Sequence, residues 1–169
     1  MQTKLPKRSE VSQHLTWNLE EIYPDVSAWE AELAQGMALC DRIAAAEGHL
    51  ADSAARFLEN LAMYKEFVRL EDRVGGYAFM RQDEDTADPA RQQLYLKAQN
   101  AFAKTQEKLA FLEPEILEIP EETLQQFYKE EAGLSEYQVM IQEIRRQRAH
   151  ALPVEIGRAS CRERVSSPV

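Results

Sequence analysis

The side chains able to do chemistry are thinly spread in this chain. His14, His49 and His150 are far apart, and none has a second histidine four residues away. A zinc site needs convergent deprotonated ligands, which a helix supplies most economically as H-E-x-x-H, and that pattern is absent. There is also no glycine-rich phosphate loop, no G-x-S-x-G elbow and no paired-cysteine motif. Asp83, Asp85 and Asp88 alternate as oxygen ligands to calcium would, but the central glycine and distal glutamate of a calcium loop are missing. They read instead as a solvated turn with Asp88 capping the next helix. Arg145, Arg146 and Arg148 fall at a predicted helix C-terminus. Cations there offset the exposed carbonyl dipole; the alternative is a bidentate pairing with a carboxylate of a neighbouring domain or a peptide end. The expectation is therefore no catalytic residue and no metal ligand within these residues. Tyr77, Arg81 and Arg145 are the candidates, by residue type, for contact with a substrate.

Those residues must be positioned by helices. Strand signals are nearly absent, glycine and proline are few, and apolar residues make up 44% of the chain. Ser27 with Glu30 forms a capping-box pair, and Trp29, Leu33, Met37, Cys40 and Ile43 continue it as one apolar stripe; Gly48 is the expected stop. A second helix starts at Ser53, aided by Asp52, and carries Phe57, Leu61, Tyr64, Val68, Val74 and Tyr77 to about Gln82. At ~1.5 Å per residue it is on the order of 45 Å long. Gly75 and Gly76 interrupt it at a cost of roughly 1 kcal/mol each relative to alanine, which implies close approach of a neighbouring helix, a kink, or a hinge.

Asp88 and Pro89 cap and open a third helix bearing Leu94, Tyr95, Ala98, Phe102, Leu109 and Leu112 on one side. Pro114 and Pro120 punctuate a short segment after it; Pro120 opens a helix to about Glu130, and Gly133 ends it. Leu134 and Ser135 begin the last helix, with Gln138 completing a capping box, Leu134 stapling onto Val139, and Tyr137, Ile141 and Ile144 forming the apolar face. Short turns between long helices predict an all-α, antiparallel array of amphipathic helices. Ahead of it, Trp17, Leu19, Ile22 and Tyr23 form an aromatic-rich lead-in, each side chain worth roughly 1.5–3 kcal/mol if buried. The expected division is 1–24 as a docking segment, 25–154 as a helical domain, and 155–169 as a non-native tail.

That tail, from Glu155 to Val165 with four residues trailing, resembles the conceptual translation of a short-read sequencing adapter. The formal net charge is -9, and the tail carries three Arg against two Glu, so the rest is one unit more acidic. An acidic surface disfavours nucleic acid and anionic membranes as partners. No run approaches the length of a bilayer span, and no apolar run comes after the basic start as a secretory signal would require. Outside the tail only Cys40 remains, which suits a reducing compartment; a cytoplasmic location is the expectation.

Several segments, in order, resemble the N-terminal region of oligoendopeptidase F, a zinc metallopeptidase of the thimet-oligopeptidase-like clan. They are Arg8 to Glu10 leading to Trp17–Tyr23, then Trp29, Tyr77 with Arg81–Thr86, Leu112–Glu115 with Ile119–Glu122, and Arg145–His150 with Leu152. The resemblance implies an all-helical peptidase whose N-terminal helices form a wall or lid of a deep channel admitting only short peptides. It places the zinc-binding H-E-x-x-H helix and a further glutamate ligand in a C-terminal half outside this sequence, so zinc belongs to the full-length family protein and none is expected on these residues. The partners implied are that catalytic half and short peptides. A free-standing acidic helical scaffold is the competing reading.

Overall fold

The computed structural model describes residues 10–146. The described residues form helices and turns, in the order α1 (Val26–Ala44), α2 (Ala54–Glu84), α3 (Pro89–Leu109), α4 (Leu112–Glu118), α5 (Glu121–Glu130) and α6 (Gln138–Arg146). Short 3-10 turns lie at Gln13–Leu15, Leu19–Glu21 and Ala132–Tyr137. The all-α expectation holds.

Paired residues give the directions of the long helices. Trp29 near the start of α1 meets Val74 late in α2, and Glu84 at the end of α2 meets Arg91 at the start of α3. Neighbours in sequence are therefore antiparallel. By contrast Glu30 pairs with Lys97 and Asp41 with Lys108, so α1 and α3 run parallel across the face of α2.

Local chemistry sets the helix starts. Ser53 caps α2, its Oγ accepting from the Arg56 N–H at 3.2 Å, and Asp88 caps α3 by accepting from Ala90 N–H at 2.9 Å, with Pro89 in the first turn. For α1 the expected box is displaced. Asp25 is the cap, accepting from Ala28 N–H at 2.8 Å, while Ser27 lies inside the helix and Glu30 is committed to Lys97. Asp25 wins because a carboxylate at the N-terminus of the helix adds charge complementarity to the same hydrogen bond. The helix then ends at Ala44, before Gly48; that glycine holds φ +80° in the connection and gives its N–H to Glu115 at 2.6 Å, tying the loop to α4.

Two more boundaries differ from expectation. Pro114 lies in the first turn of α4 and does not stop a helix, since that turn's N–H groups have no intrahelical acceptor. Residues 132–137 make a 3-10 turn, and α6 begins at Gln138. Ser135 Oγ donates to Ala132 C=O instead of capping, and no staple forms: Leu134 is fully buried while Val139 is 71% exposed. Gly133 is explained by proximity, because a Cβ there would stand 3.0 Å from Leu58.

Burial divides into two clusters along the layer. One joins Cys40, Ile43, Phe57, Leu61 and Phe67 to Phe111, Ile116, Leu124, Phe127, Leu134 and Ile141 from the short helices. The other joins Leu19 and Tyr23 of the lead-in to Trp29, Leu33, Val74, Tyr77, Ala78 and Ala98. Trp29 is completely buried and its indole N–H donates to the Val74 carbonyl at 3.0 Å, so one side chain both fills space and satisfies its polar atom. Of the lead-in side chains, Leu19 and Tyr23 are buried in this cluster and Ile22 packs against it, whereas Trp17 is 59% exposed. Among the described residues no helix is long and apolar enough to cross a membrane. The segment from residue 147 onward, including His150 and the adapter-like tail, lies outside the described residues.

Candidate functional site

The second cluster is where chemistry-bearing side chains gather. Its spine is the C-terminal half of α2, whose helical period brings Arg73, Tyr77, Arg81 and Glu84 onto neighbouring turns. Arg81 is one centre of the arrangement. Its Nε donates to the Tyr77 hydroxyl at 3.1 Å, Nη1 to Glu84 at 3.0 Å, and Nη2 to Glu20 of the lead-in turn at 2.8 Å. The guanidinium also sits 5.3 Å from the Tyr77 ring centre. Charge-assisted bonds to Glu20 and Glu84 and the bond to Tyr77 hold the Arg81 cation protonated, against the opposing effect of burial. The same Arg81 contact holds the Glu20 carboxyl below the usual range.

Glu84 joins α2 to α3. Its side chain is 6% exposed and accepts from Arg91 Nη1 at 2.7 Å as well as from Arg81. Arg91 also donates to Asp88 at 3.2 Å, so the α2–α3 turn carries a chain of alternating charges. Of the three aspartates in and around that turn, Asp85 accepts from Ala87 N–H and Asp88 from Ala90 N–H; Asp88 is the cap, as expected from sequence.

One turn earlier lies a second, partly buried set. Arg73 binds Glu32 of α1 at 2.8 Å and stacks 5.2 Å above the Tyr23 ring, which meets Tyr77 edge-on at 5.0 Å. The Tyr23 hydroxyl and Glu32 Oε1 are buried and neither makes a hydrogen bond of good geometry, though the carboxylate is close enough to act on the phenol. Burial first, and the Glu32 charge second, push the Tyr23 hydroxyl up to about 12.

Beside this set, an open groove of about 470 Å³ runs between the lead-in turn and α2. Ile22, Gly76, Tyr77 and Met80 give it an apolar lining, and Glu21, Asp72 and Arg73 line it with charges of both signs. Gly75, next to it, faces the other way: a Cβ there would stand 2.8 Å from the Phe102 ring of α3. Close helix approach is therefore the reason for Gly75.

The structure brings Tyr77 and Arg81 into direct contact and places Arg145 elsewhere. Arg145 donates to the carbonyls of Ile119 at 2.7 Å and Ile116 at 3.4 Å, and to Glu121 at 3.0 Å. It satisfies the carbonyls that end α4 and binds α6 across to α5. Sequence reasoning missed Glu84, Arg91, Arg73 and Glu32. Arg81 and Glu84 are three apart and could have been paired from helical spacing alone. The Arg73–Glu32 and Arg91–Glu84 pairs cross between helices and have no local signature.

The residues present do not fit a zinc ion. Among the described residues no group of three His, Cys, Asp or Glu side chains converges. His14 is bonded to Ser12, His49 to Asp52, and Cys40 is a free buried thiol pushed up to about 11 by burial. No catalytic step is assigned to these side chains.

The described residues fix charged and aromatic groups on one face of a helical layer, and comparison with known proteins gives that layer a family context. The family described as Oligopeptidase F matches residues 115–156. Oligopeptidase PepF of Bacillus subtilis is 39% identical over 149 residues, covering 88% of this chain and 22% of its own length. Group B oligopeptidase PepB of Streptococcus agalactiae is 30% identical over 145 residues, 86% of this chain and 24% of its own. The crystal structure of oligoendopeptidase-F from Enterococcus faecium superposes with a TM-score of 0.73 at 27% identity, over 81% of this chain and 27% of that one. The chain thus spans about a quarter of the length of the relatives it matches. It corresponds in sequence and fold to the N-terminal region of oligoendopeptidase F.

Proposed function

We propose that these helices form a wall of the substrate channel of a zinc-dependent oligoendopeptidase that hydrolyses short peptides, the metal and its ligands being supplied by a C-terminal half beyond this sequence. The observation that carries the reading is similarity along 88% of the chain to an oligopeptidase about four times as long, as the 149 matched residues at 22% of its length imply. Zinc would polarise the scissile carbonyl and activate water in that half. The part of the present residues is to shape the channel and exclude folded proteins from it. The Arg81–Glu84–Arg91 chain suits such a role, because a wall must hold its form while substrates pass. A cytoplasmic location belongs to the same proposal.

Of the three candidate substrate contacts, Tyr77 lines the groove and Arg81 holds its hydroxyl, so replacing either is expected to alter peptide binding. Arg145 is engaged with α4 and α5, and its replacement acts on folding first. The test compares the present chain with the full-length polypeptide on internally quenched short peptides. The full-length protein should cleave them, lose activity to a chelator and leave folded proteins intact, while the chain alone should be inactive. Metal-dependent turnover by the chain alone, or none by the full-length protein, overturns the proposal.

A further inference from the structure

Helices α1 and α3 lie side by side in a fixed register. Glu30 pairs with Lys97 and Asp41 with Lys108, each pair 67 positions apart in sequence. The same register sets Lys104 opposite Met37, so the rung between the two ion pairs has a cation and no acid. Lys104 is exposed, and it makes no hydrogen bond or ion pair among the described residues. Under it runs a second open groove, of about 480 Å³, between α1 and α3. Leu33, Met37, Leu96 and Ala101 give it an apolar lining, and Leu96 is 57% exposed. The charged side chains that line it are Lys97 and Lys104, both positive, and Lys97 is already bound to Glu30. Acids outnumber bases by 29 to 20 in the chain, yet among the described residues none lines this groove.

We infer that this groove binds a short acidic peptide, which places a carboxylate on Lys104 and an aliphatic side chain over Met37, Leu96 and Ala101. Charge complementarity selects the carboxylate. A neutral or basic partner would leave the Lys104 ammonium without a counter-ion beside a newly dried apolar surface. The lining selects the aliphatic side chain, because covering it takes the exposed Leu96 out of water. The two ion pairs limit the length. They stand eleven residues apart on each helix, or ~16 Å at ~1.5 Å per residue, which an extended chain crosses in about five residues at ~3.3 Å each. Nucleic acid and anionic membrane are disfavoured by the net charge of -9, which two lysines do not offset over a surface wider than the groove. Binding here needs no metal and no downstream half, so it is independent of the peptidase reading.

The experiment follows the amide NMR signals of the isotope-labelled chain during titration with end-blocked pentapeptides of leucine and alanine that carry one central glutamate, glutamine or lysine. The glutamate peptide should shift the amides of Met37, Ala101 and Lys104. It should bind roughly three- to fivefold more tightly than the glutamine peptide, the range of an exposed charge pair. Lys104→Glu, a change at an exposed position, should reverse the order and favour the lysine peptide. A glutamine peptide with a free C-terminal carboxylate distinguishes a chain end from an acidic side chain as the source, and either source upholds the inference. Equal binding of the end-blocked glutamate and glutamine peptides, or an order that survives Lys104→Glu, would overturn it. So would shifts confined to other surfaces, or none with any peptide. Each of those failures leaves the peptidase reading standing, since turnover by the full-length protein tests that separately.

Discussion

Replacing Glu84 by glutamine tests the idea that the grooved face is held by a buried charge relay. Glu84 is 6% exposed at the side chain and accepts at 2.7 Å from Arg91 and 3.0 Å from Arg81, which are 26% and 21% exposed. Removing one partner of a fully buried ion pair costs ~3–5 kcal/mol, chiefly because the remaining charge is left without compensation. Here two guanidiniums lose their shared anion, but each keeps some water and a second acceptor: Glu20 for Arg81 and Asp88 for Arg91. The expected cost is therefore lower, roughly 2–3 kcal/mol. For a domain of this size that corresponds to a fall in Tm of roughly 6–12 °C. The control is Glu66→Gln, which removes an exposed pair with Arg69 and should cost well under ~1 kcal/mol. Thermal melts followed by far-UV circular dichroism, with urea titration to confirm an unchanged m-value, measure both. A Glu84→Gln shift no larger than that of Glu66→Gln would refute the reasoning, and the relay would then be ornamental to the fold.

Other expectations concern single buried groups. Burial raises the Glu71 carboxyl above its usual 4.5, with Thr105 donating to it at 3.3 Å as a smaller opposing effect. The folded state then holds the proton more tightly than the unfolded one, so stability falls as pH rises from about 4.5 through the folded value. Glu71→Gln should raise Tm at neutral pH and lose that advantage in acid; thermal melts across pH check it, and a growing advantage in acid contradicts it. Trp29→Phe removes the bond to Val74 and leaves a void, for an expected loss of roughly 2–4 kcal/mol, whereas exposed Trp17→Ala should cost under ~0.5 kcal/mol. Urea titrations of the two variants give both values. The Cys40 thiol, fully buried and raised to about 11, should resist alkylation at pH 8 until denaturant is added, as peptide mapping would reveal.

The features legible in the sequence were those that depend on near neighbours. Ser53 and Asp88 act as caps because a cap needs only its own side chain and an N–H two or three residues on. At α1 the sequence pattern points to Ser27 with Glu30 as the cap, and Asp25, two residues earlier, holds that place instead. Around Ser135 the pattern misled, because six residues wound as a 3-10 turn whose geometry buries Leu134 and turns Val139 outward. The apolar period located Phe57, Leu61, Val74 and Tyr77 correctly, yet gave Trp17 the same expectation as Tyr23, since residue type does not say whether a partner surface exists. At the candidate site Tyr77 and Arg81 are singled out by residue type alone, and the fold brings them into contact with each other. Glu20, Glu32 and Arg91 reach the same face from three other elements, and only the tertiary fold reveals that.

The central claim is that these helices are the supporting part of a peptidase whose reaction centre lies downstream of them. Reading the uninterrupted genomic frame past the codon for Val154 addresses it most directly. The expected result is a long continuing frame with an H-E-x-x-H helix and a further glutamate ligand downstream. A stop codon immediately after Val154, or a continuation with no such zinc-ligand helix, would contradict it.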